Sequence, residues 1–242
     1  MVSRALSGKN MQLKTNNDEH KRGVARIYDL VATPYAHLGR VMQPVRYRLL
    51  HRLLEIGNEH RLLDVGTGPG TTLFALRRLG YDGVAVGVDI ARRLLDRAKH
   101  KAVRKSIKHL SFEVADMERL PFPDMSFDRV TCVVALLLSL NRFKAISEMA
   151  RVLKEGGRGV IVEPTSAGLS KNVFYLGFRR FLRVLSRSRP DFRDICLSHY
   201  RGPAYVSGDE LRTLIEEARM EVRTVVRSMG YTYYVFEKFP RR

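Results

Sequence analysis

The sequence predicts an α/β fold in which helices cover both faces of a doubly wound, mostly parallel sheet. Runs of Val, Ile and Leu alternate with amphipathic helical stretches, which is the pattern of parallel βαβ units. The last two apolar runs are separated only by Ser228-Met229-Gly230, which predicts an antiparallel hairpin near the C-terminus. A chain of 242 residues with 45% apolar residues can bury one sizeable core, so we predict a single domain.

Local signals place the individual elements. A helix over 44–56 has Pro at its start, apolar residues on one face and Gly57 just past its end. Ser207-Gly208-Asp209-Glu210 has the capping-box pattern and opens a helix that runs to Arg219. The other predicted elements are a helix over 142–154 and strands over 62–65, 84–88, 110–114, 127–134, 158–163, 221–226 and 231–236.

A glycine-rich turn follows the first strand. Gly66, Gly68 and Gly70 come directly after Asp64 at alternate positions, and glycine permits positive φ angles and a close backbone approach that a β-carbon blocks. The spacing differs from Gly-x-Gly-x-x-Gly and lacks the Gly-Lys-Ser/Thr ending of a phosphate-binding loop. It predicts a nucleoside ligand rather than a polyphosphate. A tight strand-to-helix turn without a ligand is the alternative.

Aspartates follow the next two strands. Asp89 comes 19 residues after Gly70, where a carboxylate can hold the vicinal hydroxyls of a ribose. Asp116 can accept a hydrogen bond from the amino group of adenine, while Met117 lies against the ring. One aspartate after a strand is more often a helix N-cap, but three in register favour an adenosine site.

These segments resemble class I S-adenosylmethionine-dependent methyltransferases. The resemblance rests on Leu62 to Gly70, Val86 to Ala91 and Val114 to Val130. It continues through Glu148 to Gly157, which is similar to the E-x-x-R-V-L-K-P-G-G segment of the ubiquinone and menaquinone C-methyltransferase branch, with Glu155 in place of Pro. It implies a Rossmann-like, seven-stranded sheet with N-terminal helices, a helical cap insertion and an antiparallel C-terminal hairpin.

The resemblance implies S-adenosylmethionine as the cofactor and an in-line methyl transfer in which positioning supplies most of the catalysis. The residues expected to contact the cofactor are Asp64, Gly66, Thr67, Gly68, Gly70, Asp89, Ile90, Asp116, Met117 and Val133. Asp64 is assigned to the polar environment of the amino acid end, and Val133 flanks the methionine portion.

We divide the chain into a polar tail over 1–22 and one methyltransferase domain over 23–242. The domain comprises N-terminal helices over 23–57, a cofactor-binding core over 60–164, a helical cap over 165–206, and the last helix and strands over 207–242. Only Cys132 and Cys196 occur, without metal-ligand spacing, so we expect no metal site and a reducing, cytoplasmic location. No apolar run reaches the length of a membrane span.

The net charge of +18 predicts an anionic partner. Cations concentrate over 92–108 and 172–193. Helical spacing over 172–189 places Phe178 and Phe181 on one face and Arg183 and Arg187 on the opposite one. This segment is either a cap helix with a solvated arginine face or a peripheral contact with an anionic membrane. RNA is a less favoured partner. The fourth strand does not end in the Asp/Asn-Pro-Pro-Tyr/Phe element with which related enzymes engage the nitrogens of flipped bases or amides.

The acceptor side is less defined. The resemblance implies that Tyr28 and Tyr35 line the pocket on a helix that closes over the cofactor, although tyrosines at helical spacing also serve as packing residues. Phe178 and Phe181 would cover the same pocket from the cap. The candidate general bases are His37, Glu163, His199 and Tyr200, and the sequence does not choose among them.

We therefore expect a methyltransferase whose acceptor is small and hydrophobic or membrane-associated, such as a quinone precursor or a lipid. Three alternatives stay open at this point. They are a methyltransferase of a soluble metabolite, an RNA methyltransferase, and a protein that binds S-adenosylmethionine without transferring its methyl group.

Overall fold

A seven-stranded sheet forms the centre of the computed structural model, which describes residues 18–30, 44–165, 180, 184, 187 and 208–239. The strands are β1 (Leu62–Val65), β2 (Ala85–Asp89), β3 (Leu110–Val114), β4 (Phe127–Val133), β5 (Leu153–Pro164), β6 (Glu221–Ser228) and β7 (Tyr231–Glu237). Their order is β3-β2-β1-β4-β5-β7-β6. The first five strands are parallel, and β7 is antiparallel to β5 and β6. The predicted doubly wound sheet with a C-terminal hairpin is confirmed.

Helices cover both faces of this sheet. Residues 18–30 form α1, and the later helices are α2 (Pro44–Leu54), α3 (Thr71–Arg78), α4 (Arg92–Arg104), α5 (Arg142–Val152) and α6 (Gly208–Glu217). Helices α2, α3 and α4 pack on one face, where Leu50, Leu76 and Leu95 are fully buried. Helices α5 and α6 pack on the other face through Met149 and Ile215. Within the described ranges, no helix is long and apolar enough to cross a membrane.

Strand β5 begins at Leu153 rather than at Arg158. Helix α5 ends at Val152 because Leu153 takes an extended conformation and pairs with Phe127 of β4. The register between these strands then shifts, and Gly156 adopts a φ of 70° at the irregularity. A glycine inside a strand often marks such a bulge. Gly156 and Gly157 therefore lie within the strand itself and not in a turn after the helix.

Two residues of α5 hold the loop between β3 and β4. Glu148 Oε2 accepts a hydrogen bond from the backbone N–H of Leu120 at 2.7 Å. Arg151 donates to the carbonyl oxygens of Leu120 and Phe122 at 3.0 and 2.7 Å and forms an ion pair with Asp124. The hydrogen bonds from Arg151 also lower the pKa of Glu148. The Glu-x-x-Arg spacing on the helix thus fixes the loop that follows Asp116.

Candidate functional site

The residues predicted to bind the cofactor lie at one edge of the sheet. Strands β2, β1 and β4 are adjacent and parallel, so the turns that follow them meet at their carboxyl ends. In open α/β sheets, ligands bind outside the carboxyl ends where the strand order reverses. Here the order reverses between β1 and β4, and the glycine-rich turn leaves β1 at that point.

Asp64 is a buried carboxylate at this edge. Thr67 donates its hydroxyl to one carboxylate oxygen and Thr131 donates to the other, each at 2.7 Å. Burial raises the pKa of Asp64 to about 6, although both hydroxyl hydrogen bonds act in the opposite direction. Thr131 lies on β4 and pairs in register with Asp64. No motif pointed to Thr131, because only the strand register brings it there.

The burial of Asp64 predicts that the free energy of unfolding depends on pH. The substitution Asp64→Asn should remove this dependence. The carboxyl group has a higher pKa in the folded protein than its ordinary value of 3.8, so its contribution to stability is present below about pH 4 and is lost as the pH rises past 6. A shift of this size corresponds to roughly 2–3 kcal/mol. We expect the wild type to lose that much unfolding free energy relative to Asp64→Asn between pH 4 and 8. Urea unfolding of both proteins across this range measures it, and parallel curves would contradict the assignment.

The glycine-rich turn has the conformation that its sequence predicts. Gly66, Gly68 and Gly70 have φ angles of 68°, 54° and 73°. The N–H of Thr67 donates to the carbonyl oxygen of Val88 on β2 at 2.9 Å, which ties the turn to the neighbouring strand. A β-carbon at Gly66 would overlap the Cβ of Ala135, whereas one at Gly68 would meet only Leu94, at 3.8 Å. The turn therefore presents open backbone at Gly68.

Asp89 connects this turn to the start of α4. Its Oδ2 accepts a hydrogen bond from the N–H of Gly68 at 2.8 Å, and its Oδ1 accepts from the N–H of Ala91 at 2.9 Å. Burial raises its pKa, and these backbone hydrogen bonds oppose that effect. An ionised carboxylate has about four acceptor positions, so each oxygen keeps capacity for a ligand hydroxyl. Ile90, between these contacts, is partly buried.

Asp116 and Met117 approach from the loop after β3. Asp116 Oδ1 accepts a hydrogen bond from the N–H of Glu118 at 2.9 Å, and its Oδ2 lies 2.7 Å from Nζ of Lys21 on α1. The Cε of Met117 lies 3.7 Å from the position that a β-carbon on Gly66 would occupy. Lys21 is a residue that sequence reasoning missed, because it falls in the segment that we treated as a polar tail.

Helix α1 is held by side-chain contacts at both of its ends, close to the carboxyl ends of the strands. Lys21 also pairs with Glu118, which is 2% exposed and accepts a hydrogen bond from Ser139 at 2.8 Å. At the other end, Asp29 accepts from the N–H of Arg93 at 2.8 Å, and Tyr28 packs against Ala91 and Leu94. The helix therefore joins the loop after β3 to the start of α4.

The chain after β4 passes close to the glycine turn. Val133 ends the strand and is partly buried. Val134 has a φ of 57°, which is unusual for a β-branched residue and marks a constrained position. Its N–H donates to the carbonyl oxygen of Val162 at 2.8 Å. This turn places Ala135 beside Gly66.

Glu163 is the one candidate base among the residues that the structure describes. It lies near the end of β5, and its buried Oε1 has no hydrogen-bond partner in the ranges that the structure describes. Burial raises its pKa to about 8, while the charge of Arg142 and the backbone N–H groups of the Leu136–Leu138 turn act in the opposite direction. Glu163 is on the α5 face of the sheet, next to the turn that follows β4.

The other predicted acceptor residues lie outside the described ranges. They are Tyr35, His37, Phe178, Phe181, His199 and Tyr200. Of the predicted basic helix over 172–189, the structure describes Arg180, Val184 and Arg187, which are helical and exposed.

Comparison with known proteins agrees with this arrangement. Residues 63–161 match the family model described as "Methyltransferase domain". The demethylmenaquinone methyltransferase of Deinococcus radiodurans is 36% identical over 155 residues, covering 57% of this chain and 64% of the relative. The ubiquinone/menaquinone biosynthesis C-methyltransferase UbiE of Pseudomonas paraeruginosa is 37% identical over 158 residues and 61% of each chain. The chain thus spans less than two thirds of the length of these relatives.

A solved structure has the same fold. A chain from the complex between the Haloferax volcanii Trm112 methyltransferase activator and a methyltransferase matches with a TM-score of 0.65 and 18% identity. The match covers 89% of the present chain and 97% of that chain. At this identity the likeness concerns the fold alone.

Proposed function

We propose that this protein transfers the methyl group of S-adenosylmethionine to a small-molecule acceptor, and the match of residues 63–161 to the model described as "Methyltransferase domain" supports this. One observation carries the proposal. The glycine turn, Asp89 and Asp116 meet at the carboxyl ends of adjacent strands, where an adenosine would find open backbone and carboxylate acceptors together.

The described residues fit such a cofactor. Gly68 has no β-carbon in the space beside the turn, and the oxygens of Asp89 and Asp116 keep acceptor positions beyond their present hydrogen bonds. Asp89 would hold the ribose hydroxyls, and Asp116 would accept from the adenine amino group. Met117 and Ile90 would pack around the base, and Gly66, Thr67 and Gly70 would contact the methionine and ribose portions.

The bound cofactor supplies an electrophilic methyl group on a sulfonium. The protein then has to hold the acceptor in line with that group and exclude water, and such positioning can supply on the order of 7–11 kcal/mol. Asp64, with both oxygens fixed by Thr67 and Thr131, would provide the negative surroundings for the amino acid end. Val133 would flank the methionine portion where β4 ends.

We further propose that the acceptor is hydrophobic, as a quinone precursor or a lipid would be, and that the protein meets it at a membrane surface. The names of the quinone-pathway relatives support the first part, and the net charge of +18 supports an anionic surface. On this proposal the protein is cytoplasmic and peripheral, and the basic segment over 172–189 contacts anionic lipid.

Transfer of labelled methyl groups tests the proposal. The full chain is incubated with methyl-labelled S-adenosylmethionine and separate lipid, small-molecule and RNA fractions of a cell extract, with Asp89→Ala as the inactive control. We expect label in the lipid or small-molecule fraction only. Label in none of the fractions would overturn the enzyme assignment, and label in RNA alone would overturn the acceptor class. Failure to sediment with anionic vesicles at low salt would contradict the membrane contact.

A further inference from the structure

A buried arginine without an acidic partner in the described ranges lies near the carboxyl end of β5. Arg46, in the first turn of α2, is 7% exposed. Among the described residues, its Nε has no hydrogen-bond partner, and its guanidinium donates one hydrogen bond, to the hydroxyl of Tyr47 at 3.0 Å. It forms no ion pair with any residue in the described part of the chain. A buried charge is costly unless it is paired, so this arginine calls for an anion.

The remainder of the chain offers few acids to supply one. In the ranges that the structure does not describe, the only acidic side chains are Asp191 and Asp194. The first turn of α2 also contains no acidic residue. Helix N-termini carry partial positive charge, so α2 adds to the positive potential around Arg46 instead of balancing it.

Three tyrosines complete what we call the Arg46 cluster: Arg46, Tyr47, Tyr231 and Tyr233. The guanidinium carbon lies 5.0 Å from the ring centroid of Tyr47 and 4.7 Å from that of Tyr231. Tyr233 is fully buried, and its hydroxyl has no hydrogen-bond partner within the described part of the chain. Burial raises the pKa of Tyr233 to about 12, although the positive charge of Arg46 lowers it, so this hydroxyl stays protonated and can donate. The cluster therefore contains two buried donors, Arg46 Nε–H and the hydroxyl of Tyr233, that have no hydrogen-bond partner among the described residues.

Strand register places the cluster near the proposed site of methyl transfer. Val133 at the end of β4 pairs with Val162 of β5, and Val162 pairs with Tyr233 of β7. Neighbouring strands are about 4.8 Å apart, so Tyr233 lies roughly 10 Å from Val133 across the sheet. Val133 and Tyr233 both contribute to the apolar layer under α2.

We propose that the Arg46 cluster is a subsite for a carboxylate on a planar acceptor. The proposal rests on the proposed function for its location, but anion binding itself does not require methyl transfer. A carboxylate would accept from Nε–H of Arg46 and from the hydroxyl of Tyr233, and its single negative charge would balance the single buried cation. The rings of Tyr47 and Tyr231 would pack against the planar body to which the carboxylate is attached.

Binding of a neutral and an acidic probe tests the subsite. Isothermal titration of the full chain, with and without S-adenosylhomocysteine, compares 4-hydroxybenzoate with 4-hydroxybenzamide, which has the same shape but no charge. We expect the acid to bind at least about tenfold more tightly than the amide to the wild type. Arg46→Met should abolish this preference, and Arg46→Lys should keep part of it because the charge is retained without the planar fork.

Arg48→Met is the matched control, since Arg48 is on the same helix but exposed. It should leave the preference unchanged. Tyr233→Phe keeps the aromatic core and should reduce the preference, so it carries the test together with Arg46→Lys if Arg46→Met does not fold. Equal binding of the two probes by the wild type, or an equal loss in Arg48→Met, would overturn the subsite. Selective binding of the acid, together with no labelled methyl group in any extract fraction, would overturn the proposed function and leave the subsite in place.

Discussion

Asp89→Ala is expected to weaken the binding of S-adenosylmethionine about 100-fold. A ligand diol held by one carboxylate makes two charge-assisted hydrogen bonds, each worth about 1.5–3 kcal/mol, and part of this is recovered by water in the variant. The substitution also leaves the N–H groups of Gly68 and Ala91 without their acceptor. The glycine turn therefore loses one of its contacts with β2, while the hydrogen bond from Thr67 to Val88 remains.

The two effects can be separated with an analogue of S-adenosylhomocysteine that lacks the ribose hydroxyls. If Asp89 holds the diol, removing the hydroxyls costs the wild type most of its affinity and costs Asp89→Ala little, because the interaction is already gone. An equal loss in both proteins would show that Asp89 acts only through the turn. Asp82→Ala is the control, since Asp82 is 75% exposed and pairs only with Arg77 among its described neighbours. It should bind both ligands as the wild type does.

Much of the fold follows from signals that are local in sequence. Gly66, Gly68 and Gly70 specify their turn because their own φ angles require glycine, and alternating apolar runs specify the strands on either side. Pro44 and the glycines after the helices place most boundaries within a few residues. Strand β5 is an exception, because its first residue is set by pairing with Phe127 and not by its own sequence.

The residues that escaped sequence reasoning act over long separations. Thr131 reaches Asp64 only because β1 and β4 are adjacent in a particular register. Lys21 meets Asp116 and Glu118 through the docking of α1, and nothing in its polar surroundings distinguishes it from a solvated lysine. Arg46 is similar, since a first-turn arginine is ordinarily exposed and its burial depends on Tyr231 of the last strand.

Gly66→Ala is expected to lower the free energy of unfolding by about 3 kcal/mol and to abolish cofactor binding. The positive φ of Gly66 costs an alanine about 1 kcal/mol, and the overlap of its Cβ with the Cβ of Ala135 adds about 1–3 kcal/mol. Ala135 cannot move aside cheaply, because its Cβ is fixed to the backbone that follows the constrained Val134. Against a typical total of about 5–15 kcal/mol, this is a large fraction of the stability.

Gly68→Ala separates the two contributions, because Gly68 also has a positive φ but has room for a β-carbon. We expect it to cost only about 1 kcal/mol of stability. Replacing Ala135 with glycine removes the overlap, so Gly66→Ala combined with Ala135→Gly should regain about 1–3 kcal/mol relative to the sum of the single changes. Urea unfolding of the wild type, Gly66→Ala, Ala135→Gly and the double variant gives this coupling directly. Additive effects would mean that the close approach of Ala135 to the glycine turn does not constrain the site.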